Sequence, residues 1–166
     1  MRHDLLERLL SGDGGAAADH VALGMLLAEA HNRSRERINE ALRPLGINVR
    51  GFTVLLALPM YGPVSQRDLI DHMGIDKSTM VRLIDELEDG GLVSRERAPQ
   101  DRRAYSIVLT RRGEQTLAQA RQITEQVGEH IFGWLAEPER GHLVDLLRGL
   151  AEHAAAPPPP DAPAPR

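Results

Sequence analysis

Apolar residues recur every three or four positions along most of the chain, which predicts a mainly helical protein. The first long helix is expected to begin with Asp19 as its N-cap and to end near residues 44–46. Three shorter helices follow, and their expected caps are Asn48, Ser65 and Asp76. Each of these helices ends near a glycine or a proline. The third is expected to bury Met80, Ile84 (or Leu83) and Leu87.

The period changes after the Gly-Gly pair at residues 90–91. Residues 92–97 and 104–109 alternate well enough to be strands, and the polar residues 98–103 between them predict a β-hairpin with a long tip. Residues 65–112 therefore follow the order helix, tight turn, helix, hairpin. This order is that of a winged helix-turn-helix, a DNA-binding motif in which the hairpin is the wing.

Both ends of the chain extend beyond this lobe. Thr110 is expected to cap a long helix whose apolar stripe reaches Trp134, and Pro138 is expected to open a last helix. The apolar faces of residues 1–46 and 113–153 are longer than a small winged-helix core can cover. A homodimer is the favoured explanation, and packing within the same chain is the alternative.

The helix that follows Asp76 has a polar outer face because its apolar positions form one stripe. The outer side chains near its N-terminus are small, polar or basic, and its acidic side chains lie towards the other end. The hydroxyls can meet phosphates or base edges, and Arg82 is long enough to reach a guanine edge in the major groove.

The 166 residues carry a net charge of −4, which taken alone argues against a nucleic-acid partner. Residues 94–112 differ, because six arginines stand there against two carboxylates, a local charge of +4. Screening limits the field of distant charges to about 8 Å at physiological salt, so the local charge decides how phosphates are met. A basic hairpin directly after a helix-turn-helix favours DNA binding.

Several other classes of function find no support in the sequence. Without cysteine the chain has no disulfide, thiolate nucleophile or peroxide-sensing thiol. No phosphate-binding loop, nucleophile elbow or histidine pair with metal-ligand spacing is present, so we expect neither an enzyme nor a cofactor. No long apolar run or signal peptide is evident, which predicts a cytoplasmic protein.

Over roughly residues 20–150 the chain resembles the MarR family of bacterial transcription regulators. The resemblance is carried by VSQRDLI at 64–70, by KSTMVRLIDELEDGGLV at 77–93 and by the wing residues 95–113. Asp101 and Arg103 match the family's Asp-x-Arg wing signature. The resemblance implies a homodimer on a pseudo-palindromic operator, with Arg103 in the minor groove and Asp101 holding either Arg103 or the wing in place.

Two sets of binding residues are expected. The DNA contacts are Ser65, Gln66, Lys77, Ser78, Thr79, Arg82, Arg95, Arg97, Asp101, Arg102 and Arg103. Family members often bind a small aromatic or anionic effector, and the candidates for such a site are His31, Arg35, Phe52 and Trp134. Each of these four has a simpler explanation: Phe52 and Trp134 as core, Arg35 as a solvated or paired charge, and His31 as a surface residue.

The predicted fold is mainly α with a small β-hairpin wing, a winged helix-turn-helix lobe and long terminal dimerisation helices. The expected division is an amphipathic segment with a flexible joint at 1–18, a dimerisation helix at 19–46, the DNA-binding lobe at 47–112, C-terminal dimerisation helices at 113–153 and a Pro-rich disordered tail at 154–166. The expected function is that of a ligand-responsive repressor. The alternative is a dimeric ligand-binding or protein-interaction module that has the same shape and does not bind an operator.

Overall fold

The computed structural model describes residues 15–98 and 101–156, without the side chains of Ala98 and residues 101–104. The predicted amphipathic segment, most of the Pro-rich tail and residues 99–100 of the hairpin tip lie outside these residues. In chain order the elements are α1 (Gly15–Leu42), a 3₁₀ turn (Arg43–Leu45), α2 (Val49–Tyr61), β1 (Val64–Ser65), α3 (Gln66–Met73), α4 (Lys77–Asp89), β2 (Val93–Ala98), β3 (Asp101–Leu109), α5 (Arg111–Phe132) and α6 (Glu137–Ala155). The predicted fold class is confirmed.

Helix α1 begins earlier than its sequence pattern predicted. It starts at Gly15, so Asp19 lies inside the helix and does not cap it, and the expected flexible joint is wrong for residues 15–18. The reason is the run of three alanines at 16–18, since alanine has the highest helix propensity. The helix ends at Leu42, and the short 3₁₀ turn that follows it closes on Gly46 in the left-handed conformation.

The predicted caps of the later helices are confirmed. The Asn48 side chain accepts a hydrogen bond from the Gly51 amide at 3.0 Å, and Ser65 forms a reciprocal capping box with Asp68. Two signals, Pro59 and the Gly62-Pro63 pair, were predicted to end helix α2; it runs through Pro59 and ends at Tyr61, with Gly62 as its C-cap. A proline in the last turn removes one hydrogen bond of the helix and leaves the turns before it intact.

The hairpin belongs to a sheet of three strands rather than two. Strand β1 pairs antiparallel with β3, with Val64 opposite Ile107, and the strand order is β1-β3-β2. Strands β2 and β3 are longer than predicted and leave only two residues between them, with an irregular register after Arg97. The sequence pattern missed β1 because two residues are too few to show an alternation.

The described residues up to Val127 form one compact unit around one hydrophobic core. The α4 stripe is buried in this core as predicted, and both Leu83 and Ile84 take part in it. The other fully buried large side chains come from the rest of the unit and include Leu42, Leu55, Leu69, Ile107 and Val93. The core thereby fixes α4 and the hairpin on one scaffold.

The described residues from Gly128 to residue 156 form a second unit, which contains the end of α5 and all of α6. Pro138 lies in the first turn of α6, as predicted. Trp134 was interpreted as core, and that interpretation is wrong for the single chain, because its side chain is 79% exposed. The cause is that α5 ends at Phe132, which removes Trp134 from the helical stripe.

The described part of the chain contains no single helix that is both long and apolar enough to cross a membrane. Residues 15–45 and α2 meet the criteria of length and composition only when they are taken together, and the chain bends by 73° between them.

Candidate nucleic-acid interface

The N-terminus of α4 is held by its cap, Asp76. One carboxylate oxygen of Asp76 accepts hydrogen bonds from the Ser78 hydroxyl at 2.5 Å and from the Thr79 amide at 2.9 Å. These bonds hold the pKa of Asp76 well below its usual range, the bond from Ser78 having the largest effect. The cap therefore stays ionised at neutral pH, and its stabilising effect is lost only as the pH falls below the ordinary range of a carboxylate.

The outer face of α4 presents three types of side chain to solvent. Lys77 is exposed at the first turn, and Arg82 is 70% exposed in the middle of the helix. The Arg82 guanidinium lies 3.8 Å from the Glu86 carboxylate, and an exposed pair of this kind contributes only about 0.3–0.5 kcal/mol. Arg82 can therefore leave Glu86 for a DNA base at little cost.

Val81 is a third component of this face and was not among the residues predicted to contact DNA. Its side chain is 37% exposed although valine is apolar. The sequence did contain a signal for this exposure. Val81 follows Met80 directly on the outer side of the apolar stripe, and a residue in that position cannot share the buried face. An apolar side chain on such a helix can contact the methyl group of thymine in the major groove.

Arg95 is the predicted DNA contact that the structure places differently. Its guanidinium, on strand β2, binds Asp85 at 2.5 Å and also binds Glu88, both on α4. The Arg95 side chain is only 28% exposed, and the Asp85 hydrogen bond is the main cause that raises the pKa of Arg95. Arg95 therefore fastens the wing to α4, and the expectation that it contacts DNA finds no support in this geometry.

We expect Arg95→Met to lower the stability of the DNA-free protein by about 1–3 kcal/mol, because two half-exposed carboxylates lose their shared cation. Urea unfolding monitored by circular dichroism measures this loss. Arg121→Met, at an exposed arginine on α5, is the control and is expected to stay within about 0.5 kcal/mol of the unmodified protein. Equal stability of the two variants would contradict the fastening role.

The serine side chains at the starts of α3 and α4 form hydrogen bonds within the helix caps. The Ser65 hydroxyl donates to Asp68 at 2.7 Å, as the Ser78 hydroxyl donates to Asp76. Both protons are engaged in the caps, so we expect these two residues to contact DNA through oxygens that accept from the amino group of a base. Gln66 and Thr79 are half-buried beside them.

The wing residues contribute the remaining predicted contacts. Arg97 is exposed on β2, before the irregular register with β3. The backbone of Asp101, Arg102 and Arg103 belongs to β3, but their side chains lie outside the described residues. Their roles therefore remain predictions from the sequence.

The four effector candidates have different surroundings in the structure. His31 and Arg35 are exposed on α1, whereas Phe52 is half-buried and packs against the core, which confirms its simpler interpretation. Trp134 belongs to the second unit, where its indole N–H donates to the Ile131 carbonyl at 2.9 Å. Among the described residues no three potential ligands cluster in a way that would hold a metal ion.

Comparison with known proteins supports the interpretation of this lobe. A family model described as MarR family matches residues 45–104. A protein of Thauera aromatica assigned to transcriptional regulation of the hcr operon is 29% identical over 148 residues, which are 89% of this chain and 86% of that protein.

Two solved structures are similar over most of their length. CouR from Rhodococcus jostii RHA1, bound to p-coumaroyl-CoA, is 32% identical with a TM-score of 0.69, and the match covers 78% of this chain and 91% of CouR. BpsR from Bordetella bronchiseptica, whose DNA binding is regulated by 6-hydroxynicotinic acid, is 29% identical with a TM-score of 0.70, covering 77% and 91%.

Proposed function

We propose, since this chain belongs to the MarR family of transcription regulators, that it is a homodimeric, ligand-responsive repressor which binds a pseudo-palindromic DNA operator. The family consists of regulators and not of enzymes. The observation that carries the proposal is the outer face of α4, where Arg82 and Val81 are exposed on a helix that Arg95 fastens to the basic wing.

In the proposed complex α4 lies in the major groove and the wing lies along the adjacent minor groove. Arg82 contacts a guanine edge, and Lys77 and Arg97 contact phosphates. Arg103 enters the minor groove, where a narrow A·T-rich segment concentrates negative potential, and Asp101 orients it. Arg102 adds a phosphate contact, and the oxygens of Ser65, Gln66, Ser78 and Thr79 lie at the edge of the interface.

The homodimer is supported by apolar side chains that the single chain leaves exposed. On α1 these are Val21, Leu23, Leu26 and Leu27. On α6 they are Val144, Leu146, Leu147 and Leu150, and no residue of α6 is buried. A second copy of the chain can cover both faces, and two lobes in one dimer require half-sites about one helical turn apart, ~10 bp between centres.

The effector proposal follows from relatives. BpsR responds to an aromatic hydroxy acid and CouR binds an aromatic acyl thioester, so we propose a small aromatic acid or a related anionic compound as the effector of this chain. A repressor that binds DNA and a small aromatic acid functions in the bacterial cytoplasm.

A gel-shift titration of the purified full chain with the DNA upstream of its own gene tests the proposal. We expect a discrete complex that survives an excess of random-sequence DNA and is released by one compound from a panel of aromatic acids. A complex that random DNA removes as easily as the unlabelled upstream fragment would contradict sequence-specific repression.

Val81 allows a test of base recognition. We expect one thymine per half-site to contact Val81, so that replacing this thymine with deoxyuracil, which lacks only the C5 methyl group, weakens binding about 3- to 10-fold. The Val81→Ala variant is expected to bind both operators with nearly equal affinity, since its contact is already lost. Scanning every thymine of a selected operator by fluorescence anisotropy measures the effect. Equal sensitivity of both proteins at all positions would refute this contact.

A further inference from the structure

The first unit contains a cavity that does not include any of the four effector candidates. It has a volume of about 400 Å³, within the ~300–1,000 Å³ range of small-molecule sites. Its walls come from α2, from the end of α3 and from the turn before α4. We call it the α2–α3 pocket, and the lining residues that matter here are Arg50, Met60, Tyr61, His72, Met73 and Ile75.

The chemistry of the walls indicates the class of ligand. The rings of Tyr61 and His72 stack with centroids 4.4 Å apart and planes 6° from parallel, so that a third flat ring can extend the stack. Met60 and Met73 add polarisable sulfur atoms, which make favourable contacts with aromatic rings. Met60 is 75% exposed, so the pocket opens to solvent beside it.

Arg50 is the cation of the pocket. The rest of the wall is mainly apolar, and among the side chains that the structure describes no carboxylate lies within ion-pair distance of the Arg50 guanidinium. A guanidinium at the edge of an apolar, aromatic site binds a carboxylate in bidentate fashion. The pocket therefore suits a planar aromatic carboxylate, with the ring against the stacked pair and the acid group on Arg50.

The pocket is also connected to the DNA-binding helix. His72 and Met73 form the last turn of α3, and Ile75 directly precedes Asp76, the cap of α4. A ligand that displaces these residues changes where α4 begins. Because ligands and operator would favour different positions of α4, each would lower the affinity of the other by the same factor.

We infer that the α2–α3 pocket is the effector site, and that an aromatic carboxylate bound there releases DNA through the turn that positions α4. This inference rests on the proposed repressor function and deepens it. It replaces the site expected around Arg35 with one around Arg50.

Calorimetric titration of the full-length protein with 2-naphthoate, and with the neutral 2-naphthamide, tests the inference. We expect naphthoate to bind the unmodified protein at least about tenfold more tightly than the amide does. Arg50→Gln should remove this preference, whereas Arg35→Gln and the surface control Arg121→Gln should retain it. Arg50 is exposed, so circular dichroism of the variant is expected to match that of the unmodified protein.

A second measurement uses the operator. Naphthoate should lower the operator affinity of the unmodified protein at least about fivefold and leave that of Arg50→Gln unchanged. No naphthoate binding, loss of binding in Arg35→Gln alone, or binding through Arg50 without any change in operator affinity would each overturn the inference. Failure of the repressor function is a distinct result, because the ligand-free protein would then show no operator preference.

Discussion

Replacing Arg103 with alanine is expected to weaken operator binding by about 1–3 kcal/mol at each half-site, or roughly 30-fold or more for a dimer that binds with two wings. The physical reason is the loss of a guanidinium from a narrow minor groove, where negative potential is concentrated. Since Arg103 lies on strand β3 of the wing and is a charged residue, we expect the variant to remain a folded dimer. Fluorescence anisotropy with labelled operator measures the affinity, and light scattering checks the dimer.

The DNA provides the matched control for this prediction. Exchanging A·T for G·C pairs under the wing places an amino group in the minor groove and widens it, so binding by the unmodified protein should weaken. Arg103→Ala should be almost insensitive to the same exchange. Arg121→Ala, on the exposed side of α5, should behave as the unmodified protein does. An Arg103→Ala protein with unaltered affinity would exclude the wing arginine from the interface.

Replacing Gly113 with alanine should destabilise the first unit by more than about 3 kcal/mol. A β-carbon at Gly113 would lie 1.9 Å from the Leu92 carbonyl oxygen, a distance that only a movement of backbone can relieve. The same carbonyl accepts a hydrogen bond from the Thr110 amide at 3.1 Å, and Thr110 caps α5 through the Gly113 amide at 3.0 Å. The strand, the cap and the helix would all have to shift together.

Thermal and urea unfolding of Gly113→Ala measure this effect. Gly128→Ala is the matched control, because Gly128 lies in the same helix and a β-carbon there meets nothing within 4 Å in the described residues. Its stability should be equal or higher by up to about 1 kcal/mol, since alanine favours the helix. A Gly113→Ala protein as stable as the control would show that α5 does not pack on the Leu92 backbone in this way.

The parts of the fold that local chemistry determines were predictable from the sequence. Asn48, Ser65, Asp76 and Thr110 each hydrogen-bond amides within a few residues, so their caps depend on little else. The buried stripe of α4 was predictable for the same reason, because the period of a helix places its side chains without reference to the rest of the chain.

The residues that were predicted wrongly depend on distant parts of the chain. Arg95 was expected to contact DNA because nothing near it in sequence indicates that Asp85 and Glu88, on another element, approach it. The interpretation of Trp134 depended on where α5 ends, which a periodic pattern defines only to within a turn. The α2–α3 pocket could not be predicted from the sequence for a related reason. Arg50 and His72 line the same pocket only when α2 packs beside α3.

Sequence-specific operator binding is tested most directly by one comparison. The affinity of the full chain for an operator obtained by in vitro selection is measured beside its affinity for a scrambled sequence at the same salt concentration. We expect selection to yield a pseudo-palindrome with half-sites ~10 bp apart and a preference of about 10³-fold or more over the scrambled DNA. A preference below about tenfold, or an affinity that depends on the salt concentration and not on the DNA sequence, would contradict sequence-specific operator binding. The chain would then be a dimeric ligand-binding or interaction module with the shape of a winged helix-turn-helix.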